Sequence, residues 1–287
     1  MRISHNISAM NTYRQYNTNA TKTSKSMEKL SSGSRINRAA DDAAGLSISE
    51  KMRSQIRGLT QATRNAQDGI SLLQTAEGAL TEVSDMLTRL KELAVQVQNG
   101  TYSADDKKNI GAEMKALGTA ITGIYKNTKF NGIAVFGDVT TDATDTSITG
   151  IGTASTIDIK YGEDGNQTVS IANATVTNLA ALTAKTVAAD GSDTDAEAVT
   201  VDLVEAAITE VNTTRATYGA LQNQLEHASN NMATTKENLQ AAESRIRDVD
   251  MAEEMMEYTK NNILLQAAQS MLAQANAQPQ GVLQLLR

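Results

Sequence analysis

A narrow stripe of apolar residues runs along one long segment of the chain. Its positions alternate at intervals of three and four residues, which places them on one face of an α-helix. The stripe consists of Ile48, Met52, Gln55, Leu59, Ala62, Ala66, Gly69, Leu73, Ala76, Leu80, Val83, Leu87, Leu90, Ala94 and Val97. Only Gln55 and Gly69 are not apolar. At ~1.5 Å per residue this predicts a helix of roughly 75 Å that packs against partner helices.

Stop and start signals follow the stripe. The Asn99-Gly100 pair is typical of a helix C-terminus, and Ser103 is suited to cap a second helix. That helix repeats the spacing with Ile110, Met114, Leu117, Ile121 and Ile124. Asn131-Gly132, between short apolar runs, predicts a β-hairpin turn.

A matching stripe occurs late in the chain and predicts the partner helix. It begins with Val201, Val204, Ile208 and Val211, and after a phase change near Tyr218 it continues with Leu221, Leu225, Ala228, Met232, Thr235, Leu239, Ala242, Ile246 and Val249. Because the two stripes flank a middle segment of different composition, we expect two antiparallel helices with the middle as an outward excursion.

That middle segment, residues 138–198, is acidic. It holds ten acidic and two basic residues, including the polar run DATDTS from Asp142, while the chain as a whole has a net charge of -7. Apolar and polar residues alternate at 157–161 and 169–171, which predicts short strands. We expect a small surface module outside the helical stem.

The two ends of the chain predict a second helical pair. The C-terminal stripe is Leu264, Ala268, Met271, Ala275, Gln278, Val282 and Leu285, with Pro279 as a kink or break. Its candidate mate is the N-terminus, where apolar residues are sparse: Ile3, Ile7, Met10, Met27 and Leu30. So few apolar residues make an isolated helix marginal, so we expect association to order it.

Composition excludes several classes of protein. The 287 residues include no Cys and only 3% aromatics, so a disulfide framework, a thiolate metal site and a cysteine nucleophile are excluded. The first residues do not form a secretory signal, and no apolar run has the roughly 18 residues of a membrane span. We therefore expect export by another route and no membrane insertion.

Candidate chemistry is equally sparse. His5 and His227 are solitary, and no hydrolase, zinc or phosphate-loop motif occurs, so the sequence predicts no enzyme and no cofactor. Asp41 and Asp42 precede the long helix and are interpreted as capping acids. The four acids Asp248, Asp250, Glu253 and Glu254 lie beside arginines and predict ion pairs rather than a metal site. Residues 1–38 are basic but lack the interleaved aromatics of a nucleic-acid surface.

One line of residues lies off the buried stripe of the long helix. Met86, Arg89, Leu93 and Gln96 are spaced to share a second face. Two large apolar side chains there need cover. Either this face binds a partner, or it packs on the helix that contains Glu113 or on the C-terminal helix; the spacing alone leaves both readings open.

Five sequence motifs stand out in the flanks: LSSGSRINRAADDAAGL at 30–46, GLTQATRNAQDGI at 58–70, ELAVQ at 92–96, ESRIRDVD at 243–250 and LAQANAQPQGVLQLLR at 272–287. Together they resemble the flanks of bacterial flagellin. The resemblance covers both flanks in order and is absent from 138–198, which fits the variable outer region of that family.

The resemblance implies a mainly α fold and three segments. Residues 1–42 and 250–287 would form an inner coiled coil, 43–137 and 199–249 an antiparallel helical rod with a small β-hairpin, and 138–198 a short variable outer module. The chain would be the self-assembling subunit of the extracellular flagellar filament, which serves motility. The implied partners are an export chaperone, the filament cap and hook-junction proteins.

The resemblance also implies recognition by Toll-like receptor 5 through Arg89, Leu93 and Glu113, which match the surface that this receptor binds in flagellins. A second reading is a hook-filament junction protein, which is similar to flagellin at both ends. A coiled-coil adaptor unrelated to flagella is a third. Electron microscopy distinguishes long filaments from rings or monomers.

Overall fold

A computed structural model describes residues 6–136, 139–141, 148–151, 156–162, 166–171, 177–188 and 199–285. Ile3, His5 and the acidic run that begins at Asp142 lie outside the described residues. In the described part, six helices are present: α1 (Ile7–Ser32), α2 (Ala43–Val97), α3 (Ala104–Asn127), α4 (Thr177–Ala188), α5 (Val201–Arg247) and α6 (Met251–Leu285). The predicted mainly α fold is confirmed.

The strands form antiparallel pairs. Strand β1 (Lys129–Phe130) pairs with β2 (Ile133–Ala134) across the predicted Asn131-Gly132 turn, where both residues have positive φ, 50° and 81°. Strand β3 (Val139–Thr141) pairs with β4 (Ile148–Ile151), and β5 (Ile157–Lys160) with β6 (Thr168–Ile171). Asn-Gly suits the first pair because a tight hairpin turn of this kind needs left-handed backbone at both central positions.

The chain forms two compact units. The terminal unit comprises Met1–Ile56 and Glu237–Arg287, and the central unit comprises Arg57–Lys236. Helices α2 and α5 contribute residues to both.

In the central unit the predicted stripe of α2 is the core. Every stripe position from Leu59 to Val97 is buried, including Gly69. Helix α5 runs antiparallel to α2: Gln222 Nε2 donates to Glu77 Oε2 over 3.1 Å, and Lys91 Nζ lies 2.7 Å from Glu205 Oε1. The buried positions of α5 are Val204, Ala207, Val211, Tyr218, Leu225 and Met232. The predicted pairing of distant helices is therefore present.

Helix α3 begins with a capping box. The amide of Asp106 donates to Ser103 Oγ, and the amide of Ser103 donates back to the Asp106 carboxylate, over 3.3 Å in each direction. Its buried face is Gly111, Met114, Gly118, Ile121, Thr122 and Tyr125, whereas the predicted Ile110, Leu117 and Ile124 are half-buried. The face is rotated because α4 packs closely on α3: a Cβ at Gly118 would overlap Thr186.

The predicted placement of 138–198 outside the helical seams is wrong for two parts of that segment. On α4, the side chains of Leu179, Leu182, Thr183 and Thr186 are buried, and on β5 and β6 those of Ile159, Val169 and Ile171 are buried. A Cβ at Gly69 of α2 would overlap Ile159, so β5 lies directly on the long helix. Both parts belong to the central unit. Their apolar residues were too few to predict this packing.

A side chain of α5 holds the start of α4. Glu210 accepts hydrogen bonds from the backbone N–H groups of Thr177, Asn178 and Leu179 over 2.7 to 3.3 Å. A carboxylate there satisfies amides that have no partner within the helix, and it opposes the positive end of the helix dipole. Glu210 therefore fixes α4 to α5.

In the terminal unit α1 and α6 run antiparallel. Asn6 Nδ2 donates to the carbonyl of Ala275 over 2.8 Å, and Lys29 Nζ lies 3.3 Å from Glu254 Oε2. The predicted pairing of the two ends is present. Helix α6 continues past Pro279 to Leu285, so the break predicted at that proline does not occur.

The connection from α1 to α2 is tied to the end of α5. Gly33 ends α1 with a left-handed φ of 68°, and its carbonyl accepts from the amide of Val249 over 3.1 Å. Capping of α2 is confirmed for Asp42, which accepts from the amide of Gly45 in the first turn over 2.8 Å, but not for Asp41. Asp41 accepts from the amide of Arg38, which lowers the pKa of its carboxyl group.

Candidate receptor and assembly surfaces

Arg89 joins α2 to α3 on the surface of the central unit. Its Nη2 lies 2.9 Å from Glu113 Oε1, its Nε 3.0 Å from the same oxygen, and its Nη1 2.9 Å from Glu92 Oε2. All three side chains are about half-exposed, Arg89 at 51% and Glu113 at 46%. Hydrogen bonds from Arg89 to Glu92 and to Glu113 raise the pKa of the guanidinium. The sequence-predicted Arg89 and Glu113 are thus adjacent, charged and accessible.

Leu93 does not share that exposure. The prediction that its side chain projects off the buried stripe is wrong, because Leu93 is only 1% exposed. Arg89, one turn earlier, contacts Glu113 of α3, so this side of α2 faces a second helix as well as α5. A helix that packs against two neighbouring helices buries a wider part of its circumference than the single stripe that faces one neighbour. Leu72, at the same helical phase three heptads earlier, is also buried.

The rest of the predicted line is divided between surface and core. Gln96 Nε2 donates to the hydroxyl of Tyr102 over 3.1 Å, and Met86 is half-buried. Of the two readings left open by the spacing, packing toward the helix that contains Glu113 agrees with the burial of Leu93. Arg89 and Glu113 stay available to a partner.

The seam between α1 and α6 mixes polar and small apolar side chains, and its fully buried members are mostly polar. Along it α1 turns Thr12, Asn19, Thr23 and Ser26 toward the interior, together with Ala9, Tyr16 and Leu30. The seam of α6 contains Glu254, Tyr258, Asn261, Leu265, Ala268, Leu272 and Ala275. Ser26, Glu254, Asn261 and Ala275 are its buried members. Apolar burial within this pair is therefore small.

The apolar residues predicted to pair the two ends lie mostly outside that seam. The exposed side chains include Ile7, Met10 and Met27 of α1 and Leu264 and Met271 of α6. The prediction that these residues pack against one another between the two helices is therefore wrong. The exposed large apolar side chains of the pair are Ile7, Met10, Tyr13, Met27, Met251, Met255, Met256, Ile263, Leu264 and Met271. We call this set the terminal apolar surface. The spacing of apolar residues in the sequence indicated this surface, but it was interpreted as the contact between the two chain ends.

The described residues contain no group of three or more His, Cys, Asp or Glu side chains that could hold a metal ion. Asp250, in the acidic cluster considered above, caps α6 by accepting from the amide of Ala252 over 2.9 Å, and Glu254 pairs with Lys29. In the same part of the chain, no helix combines the length and the hydropathy needed to cross a membrane.

Comparisons with known proteins match both flanks. A family model described as the bacterial flagellin N-terminal helical region matches residues 3–141, and one described as the bacterial flagellin C-terminal helical region matches 201–286. A flagellin of Bacillus subtilis is 50% identical over the full length of both chains. The flagellar filament 33 kDa core protein of Treponema phagedenis is 44% identical, again over both full lengths.

A solved structure shares the fold. It is a putative flagellar hook-associated protein from Vibrio parahaemolyticus, with a TM-score of 0.57 and 14% identity, and the match covers 72% of this chain and 100% of that one. At this identity the likeness concerns the fold alone.

Proposed function

The chain belongs to the bacterial flagellin family, and we propose on that basis how its surfaces serve assembly and recognition. Flagellins are structural proteins rather than enzymes, and this chain is a structural subunit of the flagellar filament. It polymerises with copies of itself, and the filament lies outside the cell.

We propose that the terminal apolar surface is the part of the subunit that neighbouring copies bury. The observation that carries this proposal is that the large apolar side chains of α1 and α6 are exposed, whereas three of the four fully buried residues in the seam between the two helices are polar. Fully burying one large apolar side chain is worth ~1.5–3 kcal/mol. Ten half-exposed residues therefore supply on the order of 10 kcal/mol, comparable with the ~4–15 kcal/mol that association costs.

Identical subunits that join through different patches of their surfaces form an open helical polymer when the contact does not close into a ring. The terminal apolar surface extends over both α1 and α6, so several neighbours can share it. Removing 1–40 or 255–287 should leave a helical chain that cannot extend a filament, because either truncation removes one helix of the pair.

A double substitution tests the surface without removing a helix. Ile263→Gln with Leu264→Gln should prevent filament formation while the thermal melt stays unchanged, because both side chains are exposed in the free subunit. Gln266→Ala with Gln269→Ala, exposed polar positions on the same helix, is the matched control and should polymerise normally. Sedimentation after seeding with filament fragments measures both. Normal polymerisation of the Gln double variant would contradict the proposal.

The three predicted segments form part of the proposal. Residues 1–42 with 250–287 would line the inner coiled coil, 43–137 with 199–249 would form the rod, and 138–198 would be the variable outer module, with β5, β6 and α4 as the parts that pack on the rod. The family models leave 142–200 unmatched, which supports a variable outer segment. The buried side chains of β5, β6 and α4 would anchor that segment to the rod.

We further propose that Toll-like receptor 5 recognises the free subunit through Arg89 and Glu113, with Leu93 beneath them as a positioning residue. The support is the resemblance of this helix to flagellin together with the half-exposed, hydrogen-bonded guanidinium. Arginine suits such a contact because its planar fork offers several donors at a fixed geometry. Leu93 would act by holding α2 at its distance from α3.

Alanine substitution separates recognition from folding. Arg89→Ala should weaken receptor binding about 30-fold, equivalent to ~2 kcal/mol at an interface hot spot. Its melting temperature should change little, because an exposed ion pair contributes only ~0–1 kcal/mol. Arg53→Ala, which removes another exposed arginine paired with a glutamate on α2, is the control. Surface plasmon resonance on folded protein measures both, and unchanged affinity of Arg89→Ala would remove Arg89 from the site.

The remaining proposed partners are an export chaperone, the filament cap and hook-junction proteins. Before assembly the apolar side chains of α6 are exposed, and a chaperone that covers the C-terminal segment would shield them. The Ile263→Gln and Leu264→Gln variant should therefore also bind that chaperone more weakly than the control variant, as measured by calorimetry.

A further inference from the structure

Methionine dominates the terminal apolar surface. Six of its ten members are methionines, and three of them, Met251, Met255 and Met256, lie within the first two turns of α6. Their exposed fractions are 48%, 49% and 69%. The thioether sulfur is the readily oxidised atom of this side chain, and oxidation follows its accessibility. The start of α6 therefore concentrates oxidisable groups where solvent reaches them.

Other methionines in the chain provide a contrast. Met114 of α3 and Met232 of α5 are 1% and 5% exposed. An oxidant must reach the sulfur, so these two should react much more slowly in the folded chain. The same polypeptide thus contains both the exposed cluster and its internal reference.

We propose that Met251, Met255 and Met256 form an oxidation site through which a peroxide prevents assembly of the free subunit. In each step the sulfur lone pair attacks one peroxide oxygen and the O–O bond breaks. The sulfur loses two electrons and becomes a sulfoxide, and hydrogen peroxide is reduced to one water molecule. The effect on assembly rests on the proposed role of the terminal apolar surface, whereas the order of oxidation does not.

The chemistry around the cluster explains why a sulfoxide would matter there. A sulfoxide oxygen is a strong hydrogen-bond acceptor. The charged side chains interleaved with the three methionines are Glu253, Glu254 and Glu257, and carboxylates only accept. Lys29 of α1 reaches this turn of α6, but its ammonium group already forms an ion pair with Glu254. When a neighbouring subunit covers the cluster, each new oxygen is a polar group that needs a hydrogen-bond donor in the interface, and Lys260, four residues after Met256, is the basic side chain nearest to the cluster along α6.

Peptide mass spectrometry of the full-length free subunit, treated with dilute hydrogen peroxide, tests the site. The three sulfoxides should form at least roughly tenfold faster than those at Met114 and Met232. Equal rates at the cluster and at the two buried methionines would overturn the proposed site, whether or not the subunit polymerises.

Assembly of treated protein tests the consequence. Peroxide should raise the critical concentration for polymerisation at least about tenfold, and methionine sulfoxide reductase should reverse the rise. The triple variant Met251→Leu, Met255→Leu, Met256→Leu keeps the volume but cannot be oxidised there, so the same treatment should raise its critical concentration far less than that of the native chain. Any remaining rise would come from Met10, Met27 and Met271, which are also exposed. Equal inhibition of this variant and of the native chain would overturn the proposal.

A second triple variant needs no oxidant. Glutamine at the same three positions introduces polar groups of similar length, so it should raise the critical concentration of untreated protein by a comparable factor. Normal assembly of this variant would overturn the effect on polymerisation. If the untreated native chain itself stayed monomeric, the proposed assembly surface would fail instead, and the measured order of oxidation would stand independently.

Discussion

Truncating Leu93 is the sharpest test of how the central unit is packed. Leu93 is 1% exposed and lies among buried residues of α2, with Leu90 one turn before it and Val97 one turn after it. Leu→Ala at such sites costs ~2–5 kcal/mol, because the transfer free energy of the removed carbons is lost and a cavity is left. Since neighbouring rigid helices limit collapse of that cavity, we expect about 3 kcal/mol. For a unit the size of Arg57–Lys236, this corresponds to a fall of ~6–12 °C in melting temperature.

Val95→Ala is the matched control, because Val95 lies two positions away and is 55% exposed. Its substitution should change the free energy of unfolding by less than about 0.5 kcal/mol. Calorimetric melts and urea titrations of both variants measure the difference. If Leu93→Ala were no less stable than Val95→Ala, Leu93 would not be a core residue, and its role beneath Arg89 would be refuted.

Three further substitutions test contacts that position the elements. Gly118→Ala should destabilise by ~1–3 kcal/mol, because the added methyl group overlaps a buried threonine of α4; Gly123→Ala, which meets only a side-chain nitrogen at 4.0 Å, should be neutral or stabilising in the same chemical denaturation assay. Glu210→Ala removes the acceptor of three amides and should speed hydrogen exchange in α4, and unchanged exchange would argue against the cap. Arg247 lowers the pKa of Glu50 through a hydrogen bond, so this pair stabilises the fold above about pH 4.5 and the contribution is lost as the pH falls. In Arg247→Gln, NMR titration should find the Glu50 pKa raised toward 4.5, and an unchanged value would contradict the cause given.

The stripe of α2 shows what the sequence predicts well. From Leu59 to Val97 every position chosen by spacing alone is buried, and Leu72 and Leu93 are the additional buried positions in this part of α2. Their partners are other parts of the same unit, so apolar periodicity and burial coincide. The capping box at Ser103 and the turn at Asn131-Gly132 were predicted for a similar reason, since their chemistry is local.

The terminal pair shows where the same logic fails. Spacing located apolar stripes in both helices and predicted that they meet, yet Met10 and Met271 are exposed while Ser26 and Asn261 are buried. Periodicity reports that a face needs cover, but it does not identify the molecule that supplies it. In a subunit that polymerises, a neighbouring copy can cover the apolar face.

The predictions for Leu93 and for the segment that contains α4 were wrong for a related reason. A single stripe assumes one neighbour, and Leu93 is buried because a second helix lies on its side of α2. Packing of α4 depends on the absence of a side chain at Gly118 and on the carboxylate of Glu210, far away in sequence. Neither residue signals such a contact by its local pattern.

Electron microscopy of the purified full-length chain, seeded with its own filament fragments, tests the central claim most directly. The terminal apolar surface should drive growth of long helical filaments whose number matches the seeds. The chain would then act as the filament subunit. Short rings or persistent monomers from folded protein, under conditions in which the seeds stay intact, would contradict that account and favour a junction protein.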